Sequence, residues 1–77
     1  MPIIVRLGNA RVYIYADDHN PPHFHVVGPD FKALVRISDL QVIAGTAPPD
    51  TLRKVLEWAS DNRALLALKW VEINGEE

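Results

Sequence analysis

With 77 residues, no cysteine and a formal net charge of −2, the chain is predicted to fold as a single domain spanning residues 1–77. The lack of cysteine excludes disulfides and thiolate chemistry. Because the net charge is slightly negative, the protein as a whole does not attract nucleic acid or anionic lipid, and any such attraction must come from one face. No signal-peptide pattern and no apolar run of membrane-spanning length are present, which favours a cytoplasmic protein that does not bind membranes. So small a chain buries only about 60% of its unfolded surface. We therefore expect a homodimer or a complex with a small protein partner.

The first part of the chain, residues 1–45, is predicted to be an antiparallel meander of short strands. Gly8-Asn9 separates the first two strands and is typical of a tight hairpin turn. Pro21 and Pro22 cannot donate ladder hydrogen bonds, so the stretch that leads to them must be a loop. The five runs with strand character are Ile3–Leu7, Arg11–Tyr15, His23–Val27, Phe31–Ile37 and Leu40–Ala44.

The second part, residues 49–74, has helical periodicity and begins near Asp50 or Thr51, either of which is predicted to be the N-cap. Arg63 falls inside the apolar stripe, so either its aliphatic stem reaches the edge of the stripe or the helix, otherwise continuous with a possible kink, breaks at Ser60-Asp61-Asn62 and restarts. We prefer one long helix packed on one face of the sheet, which gives an α+β fold. The apolar stripe comprises Leu52, Val55, Leu56, Ala59, Leu66, Trp70 and Ile73, with Trp58 at its edge.

Side chains alternate along a strand, so each predicted strand presents two different faces. If the helix covers the Val, Ile and Phe side chains, such as Phe24 and Val26, the opposite face is basic and aromatic. Its members could equally be ordinary residues of a solvated sheet face. That outward face is predicted to carry Arg11, Tyr13, Tyr15, His23, His25, Lys32 and Arg36, with Tyr13, Lys32 and Arg36 as binding-face candidates.

All three histidines lie within the segment Asp17–His25, which makes this segment the centre of any site. One interpretation is a divalent transition-metal site, such as zinc, held by His19, His23, His25 and Asp18. A second is metal-free RNA cleavage, with His23 and His25 as acid and base and with Tyr15 and Arg11 in support. A third is a surface that binds RNA, DNA or protein without catalysis. A fourth is structural, with Asn20-Pro21-Pro22 fixing a sharp turn.

The segment Tyr15-Ala16-Asp17-Asp18-His19-Asn20-Pro21-Pro22-His23-Phe24-His25-Val26 resembles the bacterial domain-of-unknown-function family 4160, and the likeness extends over most of the chain. The resemblance implies that the gene lies beside one for a second small domain, in an arrangement similar to a toxin–antitoxin pair. It implies no reaction, and it nominates Asp18, His19, Pro22, His23 and His25. We therefore expect an interaction module of such a pair, with a small ribonuclease or metal-dependent hydrolase as the alternative.

Overall fold

A computed structural model describes residues 3–16 and 21–75, without the side chain of Ile3. The described residues form a five-stranded sheet followed by two helices. Every neighbouring pair of strands is antiparallel and the spatial order follows the chain, so the predicted meander is confirmed. The elements are β1 (Ile3–Leu7), β2 (Ala10–Tyr13), β3 (His23–Val27), β4 (Lys32–Arg36), β5 (Val42–Thr46), α1 (Pro49–Asp61) and α2 (Arg63–Asn74).

The turns explain where the strands begin and end. Gly8 has a φ of 63° and lies in a two-residue loop that pairs Leu7 with Ala10, which confirms the predicted hairpin. Strand β5 starts later than predicted because Leu40, with a φ of 59°, donates its backbone N–H to the carbonyl of Arg36. Leu40, the first residue of the predicted fifth strand, therefore belongs to the turn that precedes β5.

The C-terminal part corrects the prediction of one long helix. It contains two helices, and Asn62 between them has a φ of −128° and a ψ of 25°. The Asn62 side chain donates a hydrogen bond to the carbonyl of Trp58 at 2.8 Å, and its backbone N–H donates to the carbonyl of Ala59 at 3.1 Å. These bonds satisfy carbonyls at the end of α1. Arg63 starts α2 and is exposed, so it does not interrupt a buried stripe.

The start of α1 also differs from the prediction. Pro48 is the N-cap and Pro49 the first helical residue, and no side chain caps the helix, so neither Asp50 nor Thr51 has the predicted role. A proline fits the first helical position because its missing N–H has no intrahelical partner there. Neither helix in the described ranges is long and apolar enough to cross a membrane.

The core lies between one face of the sheet and both helices. Val12, Phe24 and Val26 have no exposed surface, as the strand pattern predicted, and Val55 and Leu66 meet them from α1 and α2. Trp70 is buried and Trp58 is partly buried against the core, which confirms the predicted positions of both tryptophans. The helices thus cover the apolar face and leave most side chains of the other face to form a separate surface.

Candidate functional site

The strand registers align exposed cations in a row across the sheet. Arg6 is opposite Arg11, Arg11 is opposite Val27, and Val27 is opposite Lys32. Directly opposed residues project from the same face. We call Arg6, Arg11 and Lys32 the cation row; all three are exposed, and Val27 lies between Arg11 and Lys32.

No ion pair neutralises the cation row within the part of the chain that the structure describes. Among the described residues, ion pairs join Arg36 to Asp39, Arg53 to Glu57 and Lys69 to Glu72, and none reaches the row. Like charges that face each other across two strands are destabilising. The opposition of Arg6 and Arg11 therefore costs stability, and an anion bound there would remove that cost.

A chain of five aromatic rings begins on the same face and continues to α2. Tyr13 stacks on Tyr15 with ring centroids 5.6 Å apart, and Tyr15 meets His25 edge-on at 4.3 Å. His25 lies 5.1 Å from His23, whose ring is 5.4 Å from that of Trp70. We call these five residues the ring cluster.

The two described histidines lie side by side, as strand alternation predicted, but the prediction that they point outward into solvent is wrong. Only 6% of His23 and 7% of His25 is exposed. The ring contacts of Tyr15 and Trp70 enclose them, because α2 also packs against this end of the sheet. Asn74 of α2 donates a hydrogen bond to the carbonyl of Tyr15 at 3.1 Å, which ties the helix to the residues that follow β2.

A hydrogen bond from the ring of His23 to the backbone gives this residue a structural role. Its Nδ1 atom lies 2.8 Å from the carbonyl oxygen of Pro21. A carbonyl oxygen can only accept a hydrogen bond, so the Nδ1 atom of His23 is the donor and carries a proton. The bond holds the ring to the turn before β3, which supports the structural interpretation of Pro21 and Pro22. The buried Nδ1 atom of His25 has no hydrogen-bond partner within the described ranges, although the ring has other contacts.

Arg36 is on the predicted face, opposite His23, but its charge is already engaged. Its guanidinium donates two hydrogen bonds to Asp39, at 2.9 Å and 2.6 Å. The hydrogen bond from Arg36 holds the pKa of Asp39 below its usual value, and the same bond raises the pKa of Arg36. Of the three binding-face candidates, Lys32 is an exposed cation that forms no ion pair with another described residue, Tyr13 is half-buried and Arg36 is neutralised.

These positions show where several members of the predicted catalytic and metal sets lie, and the roles of those residues stay predictions. The rings of His23, His25 and Tyr15 are brought together. Arg11 lies further along the same face: it is opposite Val27, whereas Tyr13, two residues later, is opposite His25. His19 and Asp18 lie outside the described residues, so the four-ligand metal site stays a prediction. Within the described ranges, no group of three His, Asp or Glu side chains could hold a metal ion.

Sequence reasoning missed Arg6, although the signal was present. A two-residue loop at Gly8-Asn9 pairs Leu7 with Ala10, and counting one residue away from the turn along each strand puts Arg6 opposite Arg11. The alignment with Lys32 could not be counted in this way, because many more residues separate β2 from β3 in the sequence.

The fold and the site define a small α+β domain whose antiparallel sheet is covered by helices on one face and carries cations and aromatic rings on the other. The chain belongs to the family described as Domain of unknown function (DUF4160), whose model matches residues 9–77. No curated protein and no solved structure matches the chain.

Proposed function

We propose that this domain is a binding module that contacts the phosphate backbone of a nucleic acid through the cation row. The observation that carries the proposal is the alignment of Arg6, Arg11 and Lys32 on one exposed face without ion pairs to acidic side chains of the described chain. Phosphate contacts from Arg and Lys supply most of the affinity of sequence-independent nucleic-acid binding. A chain with a net charge of −2 has no general attraction for phosphate, so a local row must provide it.

The two tyrosine rings beside the cation row also support nucleic-acid binding. Tyr13 follows Arg11 on the same face, and Tyr13 and Tyr15 are each partly exposed. Aromatic side chains beside a basic track can stack on bases, which contributes about 1–3 kcal/mol per base. The cation row thus supplies contacts to phosphates, and the two tyrosines supply stacking surfaces at its side.

The decisive measurement is the salt dependence of binding. For a fluorescent single-stranded RNA, log affinity should fall linearly with log salt, with a slope of roughly −0.7 for each phosphate neutralised. Arg6→Ala, Arg11→Ala and Lys32→Ala should each make that slope about 0.7 less steep. Lys54→Ala, at an exposed position on α1, is the matched control and should leave it unchanged. Equal slopes for all four variants would disprove the assignment of the row.

Within a toxin–antitoxin-like pair, we propose that this chain is the component that carries the nucleic-acid contact, together with a protein partner encoded nearby. Induction of the chain alone should be compared with induction of both genes. Growth arrest relieved by the neighbour would make this chain the toxin, and no arrest would favour an antitoxin or regulator. Failure of the two products to co-purify would remove the protein-partner part of the proposal.

A small ribonuclease is the second candidate, and the ring cluster is what favours it. Two imidazoles and the ring of Tyr15 lie within one continuous set of contacts, the types of group that acid–base cleavage of RNA needs. Burial of both histidines favours the binding module instead. Cleavage that persists in chelator and is lost in both His23→Ala and His25→Ala would reverse this order. Elemental analysis of untagged protein tests the metal-dependent version, in which His19 and Asp18 complete the ligand set.

A further inference from the structure

A small pocket opens beside the cation row. Its volume is about 200 Å³ and it is lined by Asn9, Arg11, Val27, Gly28 and Pro29. Arg11 belongs to both features, and Val27, which faces Arg11 across β2 and β3, also lines the pocket. Val27 occupies the gap in the row between Arg11 and Lys32. The pocket therefore lies next to the place where a backbone following the row passes from one cation to the next.

The lining of the pocket limits what it can hold. Val27 and Pro29 are apolar, whereas Asn9 offers an amide with donors and an acceptor and Arg11 offers donors only. Pockets for drug-sized ligands are about 300–1,000 Å³, so this one is suited to a smaller group. A flat ring with an apolar face and a hydrogen-bonding edge matches this combination, and a bare phosphate does not match the two apolar side chains.

We infer that this pocket receives one unpaired nucleobase, and that the nucleic acid bound by the domain is single-stranded. The inference rests on the proposed function, because the base is delivered by a backbone held on the cation row. A base in a duplex is stacked and paired, so its ring cannot enter a pocket without unpairing. In a single strand the base turns aside at little cost, while phosphates on either side of it contact Arg11 and Lys32.

The test uses a single-stranded oligonucleotide, an oligomer of the same length made of abasic sites, and a duplex of the same sequence. At one salt concentration, the intact strand should bind at least tenfold more tightly than both the abasic oligomer and the duplex. The intact and abasic strands should have the same salt slope, because both present the same phosphates.

Val27→Phe fills the pocket without changing a charge, and it should lower the affinity of the intact strand by threefold or more while leaving that of the abasic oligomer unchanged. Val42→Phe, at an exposed position on β5, is the matched control and should leave the difference intact. Asn9→Ala provides a second probe that adds no bulk, and it should weaken only the intact strand, by threefold or more. Thermal unfolding of each variant checks that the sheet is preserved.

The outcomes separate the two proposals. Salt-dependent binding of intact and abasic strands with equal affinity would overturn the pocket assignment and leave the cation row in place. Tighter binding of the duplex than of the single strand would overturn it as well. Binding of neither strand would disprove the proposed function, and the inference with it.

Discussion

Two ends of one sheet face have opposite properties in this domain. At the ring-cluster end, His23 and His25 are almost fully buried, and the neighbouring Arg36 is paired with Asp39. At the cation-row end, Arg6 and Arg11 are exposed and directly opposed, and the described acidic side chains form no ion pair with them. The first end buries its histidines and pairs its arginine with an acidic side chain, whereas the second leaves charges that an external anion can bind.

The difference teaches that residue type alone does not mark a functional surface. Histidine suggests chemistry, but here two histidines contribute to packing between the sheet and α2. Arginine on a sheet is ordinary, but an uncompensated pair on adjacent strands costs stability and so points to a ligand. We therefore expect substitutions at the ring cluster to change stability, and substitutions in the cation row to change binding.

The largest expected effect is at the buried end of the ring cluster. Trp70→Ala should lower the free energy of unfolding by about 3–5 kcal/mol, because it removes a buried aromatic side chain. Trp58→Ala is the matched control; its side chain is only partly buried, so the loss should be smaller. Urea unfolding followed by circular dichroism measures both losses. Equal losses would contradict the assignment of Trp70 to the core of this end.

The next effect concerns the close approach of β5 to β4, the strand that carries Lys32. Gly45 has a φ of 74°, and a Cβ at this position would collide with the backbone carbonyl oxygen of Lys32. Gly45→Ala should therefore cost about 1–3 kcal/mol, measured by thermal unfolding. Gly8→Ala shares the positive φ but meets open space, so its cost should be lower. A higher cost at Gly8 would show that backbone strain, not the close approach, is the limiting factor.

A smaller effect of opposite sign is expected in the cation row. Arg6→Gln removes the repulsion from Arg11 and should stabilise the free protein by about 0.2–1 kcal/mol while it weakens RNA binding. Arg53→Gln on α1 instead breaks an exposed pair with Glu57 and should leave binding unchanged. Chemical unfolding and binding titrations on the same samples test both statements. Loss of stability in Arg6→Gln would show that the row is not strained.

The smallest effect is the pH dependence contributed by Asp39. The hydrogen bond from Arg36 lowers the pKa of Asp39 in the folded state. The ionised Asp39 therefore stabilises the fold fully above its unfolded pKa of about 3.9, and this stabilisation is lost as the pH falls through the folded pKa. Asp39→Asn removes this contribution, and stability should then fall less steeply in acid. Unfolding curves collected between neutral and acidic pH compare the two proteins, and identical slopes would contradict the role of the pair.

Much of the fold could be predicted from the sequence because its signals are local. β-branched and aromatic runs marked the strands, Gly8-Asn9 marked the first hairpin, and alternation put Phe24 and Val26 in the core. The helix break was less accessible, because it depends on the Asn62 side chain replacing the continuing helical bonds near Trp58. An apolar stripe that continues on both sides of a break has almost the same periodicity as one long helix.

The sequence by itself determined the strand order, the faces of each strand and the opposition of Arg6 to Arg11, since these follow from alternation and from the length of one turn. Only the tertiary structure decided which groups on that face are open to ligands. Burial of His23 depends on α2, whose Trp70 is distant in the chain and reaches it only after the helices have packed. Exposure is a property of what packs against a residue, and the local sequence does not specify that.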